Sequence, residues 1–279
     1  VQMTASRLNN DYAPITNNAG FEGSLIGAAL QANPTRRAVN ADGTFPQSVD
    51  FRNPLALLAY IDDHGTTSRV LANIGATWHI ASGLSYKLNV GVDNAESVRR
   101  TGISPKLAFN DIQGQGRAIV DNRYLSSRVV EHTLNFKKAM GSSTIDAVAG
   151  FSYQEFQNQG DWVQARFFVT DLISLVDNLD GVNAQDNNNA YRAASDRSVE
   201  ELQSYFGRVN YSIGDRFIFT GTVRADGSTK FGPNNKYGIF PAINGAWRLS
   251  EESFIPEAFY DLKLRAGWGI TGNQEFPGN

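Results

Sequence analysis

Cysteine is absent from the 279 residues, which excludes a disulfide framework and any thiolate metal centre. An excess of charge of either sign is also missing. The 25 basic and 28 acidic residues leave a formal net charge of −3, which gives no electrostatic case for a nucleic-acid partner. Long apolar runs are missing too: the longest, Leu55 to Ile61, falls far short of the roughly 20 residues that a membrane-spanning helix needs. His64, His79 and His132 are scattered along the chain. No nucleophile, base and orienting acid can be assembled around them, so the reading is of a non-enzyme without a cofactor. Gly114-Gln115-Gly116 lacks the third glycine and the strand-to-helix setting of a dinucleotide loop. Asp177 to Asn189 is rich in oxygen ligands, but Leu179 at its third position and Gly181 at its fifth depart from an EF-hand, leaving a solvated loop and no metal site.

What is present is a period of two. Val70, Ala72, Ile74, Ala76, Trp78 and Ile80 alternate with polar or small residues. After a turn at Ala81 to Gly83 the pattern resumes in Leu84, Tyr86, Leu88, Val90 and Val92. Such alternation across a tight reversal specifies two antiparallel strands with one apolar and one wet face. Both exceed the about 5 to 6 residues usual for soluble strands and match the roughly 9 to 11 that cross a bilayer. The pattern recurs, giving strands near 68–80, 84–93, 127–136, 144–156, 200–212, 216–226, 237–249 and 261–271. Pro241 cannot donate to a ladder and predicts a bulge or break.

Connections are short at 81–83, 137–143, 212–215 and 250–260 but long at 94–123 and 157–198, the asymmetry of short periplasmic turns and long extracellular loops. Trp78, Tyr86, Phe136, Tyr211, Phe217 and Trp247 then fall at the periplasmic interface. Phe151, Tyr153, Tyr205, Tyr237 and Trp268 fall at the opposite one, and paired aromatic girdles are what lipid headgroups favour. The fold class is therefore all-β: an antiparallel transmembrane β-barrel wall of eight or nine strands, in the outer membrane with its lipid as a partner. The alternative is a soluble or surface β-sandwich for adhesion or glycan binding, which would bury the same apolar face. Residues 1–66 read as an extracellular loop region with short helices after a strand end near Val1 to Ala5, and 67–279 as the barrel wall. The start at Val1 makes the chain read as a piece of something longer.

SYFGRVNYS at 204–212, RADGSTKFG at 224–232, YGIFPAINGAWRLSEE at 237–252 and LKLRAGWGITGNQ at 262–274 resemble the barrel of SusC/RagA-type TonB-dependent outer-membrane transporters of Bacteroidota. IGAALQANPT at 26–35 and NPLALLAY at 53–60 look like that family's middle-barrel loop. The resemblance implies a plugged barrel of about 22 strands, of which the eight or nine strands here form a sector, energised by the TonB complex through an N-terminal part that this stretch does not include. It also implies a SusD-like lipoprotein lid and an oligosaccharide or peptide ligand.

Arg69, Lys87, Arg208, Arg224 and Asp226 fall on the polar period and are expected to face lumen or plug. For Arg224 and Asp226 the structural reading weighs more: an intrawall ion pair beside a chain reversal at Asp226-Gly227. Trp162, Phe167, Phe168 and Tyr191 lie in the 157–198 connection, where exposed rings either stack on a ligand or pack the loop against its neighbours or a lid.

Overall fold

The computed structural model describes all residues except 15–23, 49–51, 109–113, 169, 183–189, 233, 257, 259 and 274–279. Its body is one antiparallel sheet of nine strands in sequence order. They are β1 (Gln2–Asp11), β2 (Ile61–Ala81), β3 (Leu84–Ile103), β4 (Arg117–Met140), β5 (Ser143–Arg166), β6 (Tyr191–Ile213), β7 (Phe217–Ser228), β8 (Tyr237–Arg248) and β9 (Lys263–Gly269). Neighbours in sequence are neighbours in space throughout, the meander expected of a barrel wall. Among the described strand pairs one register shift occurs, between His79 and Ala81 at the first turn.

Register assigns every strand residue to a face, because directly opposed residues project to the same side. The apolar row of β2 meets that of β3 through Ile74↔Val90 and Trp78↔Tyr86. It continues through Val90↔Val130, Val130↔Tyr153, Phe151↔Tyr205, Tyr211↔Phe219, Phe217↔Trp247 and Ile243↔Trp268. Among the described residues nothing covers this face: Trp78 is 66% exposed and Ile243 62%. A sandwich would bury it against a second sheet, and all nine strands lie in a single one. The aromatic rings form chains along it. Tyr86 Oη lies 2.6 Å from His132 Nδ1, and the Phe151 and Tyr205 rings approach to 5.1 Å.

The apolar row is bounded. On the same face Val92 gives way to Asn94, Val130 to Arg128, Tyr153 to Glu155 and Tyr205 to Gln203. On β8 the bounding rings are Tyr237 and Trp247. At about 3.4 Å per residue and about 40° of tilt they stand about 26 Å apart in height, the thickness of a barrel's lipid-facing band. Strands β2 to β6 do not stop there, since they run 20 to 24 residues. The stretches 94–103, 117–126, 157–166 and 191–199 are therefore strand and not connection, and β1 likewise runs to Asp11. Above the band polar residues stand on both faces until the tips, where Ile103, Ala118 and Ala165 are buried under the cap, so pairing continues while the hydrophobic period vanishes.

The short turns share one end of the sheet. Gly83 has φ +77°, and a Cβ there would meet the Lys137 carbonyl oxygen at 2.1 Å, which excludes any side chain. At the long-connection end, α1 (Leu25–Gln31) begins at Ser24, whose Oγ accepts from Gly27 N at 3.2 Å. α2 (Pro54–Tyr60) begins at Asn53, with Pro54 in its first turn. The two helices close a small core of Ala28, Ala56, Leu57, Ile103 and Leu107. Pro241 causes no break, because β8 pairs through it with Val223 in unbroken register. Its missing N–H falls where the β9 ladder starts at Ala242, while its carbonyl still accepts from Ile270 N at 3.0 Å.

Two stability outcomes are expected. Val90→Arg, on the apolar face at mid-band, destabilises the membrane-inserted protein by about 2 to 4 kcal/mol. Asn89→Arg, on the polar face beside Glu131, has a much smaller effect, and urea unfolding in vesicles compares the two. Gly83→Ala is also destabilising, by about 1 kcal/mol or more, because it forces an L residue into left-handed backbone against a carbonyl; the same unfolding measurement reads it.

Candidate functional site

The face opposite the apolar one carries the chemistry. Where the apolar row turns polar on the far side, this face forms a trough of about 1000 Å³ whose lining includes Arg69, Asp93, Phe156, Asn158, Glu200 and Lys230. Its charges are paired. Arg69 Nε donates to Asp93 Oδ1 at 2.8 Å, and Lys230 Nζ meets Glu200 Oε2 at 3.0 Å. Between them lie hydroxyls and carboxamides, with the half-exposed Leu8, Leu125 and Phe156 as apolar contacts.

Nearer the strand tips the pairing tightens. Buried Asp63 receives Arg99 through Nε at 2.9 Å and Nη2 at 2.7 Å, and Thr101 Oγ1 at 3.1 Å. The fork-on-fork geometry makes this the stronger kind of ion pair. Tyr12 lies 4.4 Å from the Arg99 guanidinium and closes the same cluster. On the neighbouring strands Arg123 bonds Asp121 at 3.3 Å and reaches Asp196 at 3.1 Å. It crosses Gly160 to do so, where a Cβ would stand 2.5 Å from the guanidinium.

Arg69, Lys87, Arg208, Arg224 and Asp226 all project to this polar face. They do not form one cluster. Arg224 Nε bonds Asp226 Oδ1 at 2.6 Å and Nη2 donates to Ser204 Oγ at 3.2 Å, an ion pair within the wall. The chain does not reverse at Asp226-Gly227, because β7 continues to Ser228.

The four expected loop aromatics are dispersed. Trp162 is on β5, opposite Asp121 and Ala194 on the polar face, and Tyr191 opens β6 on the other face, its Oη donating to the Leu179 carbonyl at 3.1 Å. Phe167 turns the chain out of β5 with φ +68°. Phe168 is 6% exposed in a core with Ala118, Ala165, Leu175 and Val176. Three of the four are thus structural parts of a cap, and no ligand platform is assembled. Trp268 pairs with Ile243, four positions from Trp247, which places it part-way up the apolar band and not level with Tyr237. Trp78, Tyr86, Phe136, Tyr211, Phe217 and Trp247 share the apolar face near the short turns. Of the Asp177 to Asn189 segment, 183–189 lies outside the described residues, and Asp177 pairs with Arg100 at 2.9 Å.

A wall of this kind, apolar outside and charge-paired inside, has known counterparts. Residues 4–273 match the family model described as "TonB dependent receptor-like, beta-barrel". The chain belongs to this family. It is 32% identical over 256 residues to TonB-dependent receptor P3 of Formosa agariphila, covering 90% of this chain and 25% of that protein. It is 27% identical over 296 residues to TonB-dependent receptor SusC of Bacteroides thetaiotaomicron, covering 96% and 28%. Among solved structures, the RagAB peptide importer in its "open-open" state superposes with a TM-score of 0.80 at 18% identity, covering 99% of this chain and 30% of that one. The chain spans about a quarter of the length of these curated relatives. It is a sector of an outer-membrane multi-pass β-barrel, and the open edges at β1 and β9 are those of a sector.

The cap over the strand tips is held by ion pairs. Asp171 accepts from Ser104 Oγ at 2.9 Å and from Lys106 Nζ at 2.9 Å. These bonds, that of Lys106 first, hold its carboxyl below the ordinary value and raise the Lys106 ammonium above its own. Their contribution is complete from about pH 4 to about pH 10. It is lost as pH falls through the lowered value of Asp171 or rises through the raised value of Lys106. Asp171→Asn is expected to speed protease cleavage of 167–182 at neutral pH and to abolish the acid-induced increase that the unmodified protein shows below pH 4; a pH series of limited proteolysis measures both.

Proposed function

We propose that this chain is the wall sector of an importer for oligosaccharides or peptides. Its polar face lines the lumen, with Arg69, Lys87, Arg208, Arg224 and Asp226 toward plug or cargo. The observation that carries this reading is the trough at the outer rim of the apolar band. It offers paired charges, amides, hydroxyls and exposed Phe156 and Leu125, which suits a large polar solute with little net charge. The relative named SusC and the structure titled as a peptide importer support the transport class and leave the two cargo chemistries side by side. A plug-bearing N-terminal part would couple the barrel to the TonB complex, and a SusD-like lipoprotein would cover the extracellular mouth above 104–116 and 167–190. A barrel that holds cargo at its rim and a plug below needs energy for each passage, which TonB supplies.

The test is uptake of labelled oligosaccharides and of labelled peptides by cells whose only such transporter is the full-length receptor. One class is expected to enter, entry is expected to stop when the proton gradient is collapsed, and Asn158→Trp, filling the trough, is expected to reduce uptake several-fold with membrane assembly unchanged. Uptake of neither class, or uptake indifferent to the gradient, contradicts the reading.

A further inference from the structure

Three of the four short turns are small and polar: Ser82-Gly83, Gly141-Ser142 and Gly214 to Arg216. The fourth, 249–262 between β8 and β9, is different. After a 3-10 turn at Leu249–Glu251 it carries Phe254 and Tyr260, 65% and 92% exposed. We propose that this segment is an interfacial anchor, seating Phe254 and Tyr260 in the headgroup layer of the glycerophospholipid leaflet on the short-turn side.

The position of the segment follows from a chain of rings. Phe217 and Trp247 oppose each other on the apolar face and stack at 5.9 Å. The Phe254 ring meets the edge of Trp247 at 6.4 Å, so it prolongs the lipid-facing girdle past the last strand residue. Leu262 and Leu264 return from the segment to the same face, where Leu264 opposes Trp247. The turn is therefore continuous with the lipid surface of the wall, and it projects beyond the apolar band on the side of the short turns. That level is occupied by phospholipid headgroups, where the Tyr260 ring, with an apolar body and a polar tip, is most stable, while the wholly apolar Phe254 ring seats at the acyl side of the same layer.

The first part of the segment, to Ile255, is also fixed. Glu252 is buried and accepts from Arg216 Nε at 2.8 Å and from Trp247 Nε1 at 2.9 Å. Ser250 N donates to the Leu262 carbonyl at 3.1 Å, and Ile255 N to the Glu252 carbonyl at 3.1 Å. One buried carboxylate thus ties the indole that carries Phe254 to the turn preceding β7. With the indole N–H already satisfied by Glu252, Trp247 serves as a support for Phe254, and contact with headgroups passes to the two exposed rings. A mobile aromatic loop would gain little from partitioning. A pinned one loses little entropy on insertion and sets the depth of the wall.

The experiment uses the full-length receptor with Phe254→Cys, Tyr260→Cys or, as control, Gly141→Cys on a cysteine-free background. Each is labelled with an environment-sensitive fluorophore and reconstituted in vesicles of phosphatidylethanolamine and phosphatidylglycerol. A headgroup-nitroxide lipid is expected to quench the labels at 254 and 260 several-fold more than that at 141, and aqueous iodide several-fold less. Iodide quenching at 254 and 260 equal to that at 141 places the segment in water and overturns the proposal. Strongest quenching by a nitroxide at the middle of the acyl chain overturns it as well, since the segment would then be part of the apolar band. Position 260 alone decides the matter if the Phe254 variant fails to assemble, because Tyr260 has no packing to lose.

Discussion

A strand that crosses hydrocarbon has no water to bond its peptide groups, so every rung must be filled by a neighbour. This constraint explains why nine strands run in strict sequence order, why their register slips once among the described pairs, at a turn, and why Pro241 stands where its missing N–H meets the end of a ladder. It also fixes the faces. Once Trp78 opposes Tyr86, the period of two carries the choice of side to Trp268, seven strands later. A slip of one residue in any strand would turn its apolar row into the lumen.

The polar face solves a different problem. Most of the charges there are half-exposed, and only a few such as Asp63 are buried, where an unpaired ion is expensive. The wall pairs them across strands: Arg69 with Asp93, Arg99 with Asp63, Arg123 with Asp196. The last pair spans two strand spacings and depends on Gly160, whose missing side chain leaves the path open. Beside these pairs the face presents amides, hydroxyls and a few apolar side chains.

What was legible in the sequence is the lipid-facing band, because burial in hydrocarbon on one side and water on the other writes alternation directly into residues such as Val70 to Val92. The strand extensions were not. In 94–103 or 157–166 both faces are polar up to the tips: Asn, Glu, Gln and Arg occupy both parities, and the stretch reads as loop. The same blindness put Trp162 and Tyr191 in a loop. For Phe168 the choice between stacking on a ligand and packing the loop stays open in the sequence for another reason: its burial depends on Leu175 and Val176 folding back over Ala118 and Ala165, a contact between segments with no local pattern. The cross-strand pairs, too, become visible only when register is known, although the recurrence of Asp and Arg at 62–63, 99–100, 121–123 and 196–197 was a signal of them.

The extensions change what stands above the apolar band. If strands ended with that band, everything above it would be loop. Here the ladder continues about ten residues higher, and the trough lies at the level where Asn94, Arg128 and Glu155 replace the apolar row on the outer face. Most of its lining is strand, contributed by β1 to β6, with Lys230 reaching in from the connection after β7. The loops above are tied down in turn, by Asp171 to Lys106 and by Asp177 to Arg100. The face at this level is therefore built largely of ladder-bonded strand, and the order of that surface is set by the sheet itself.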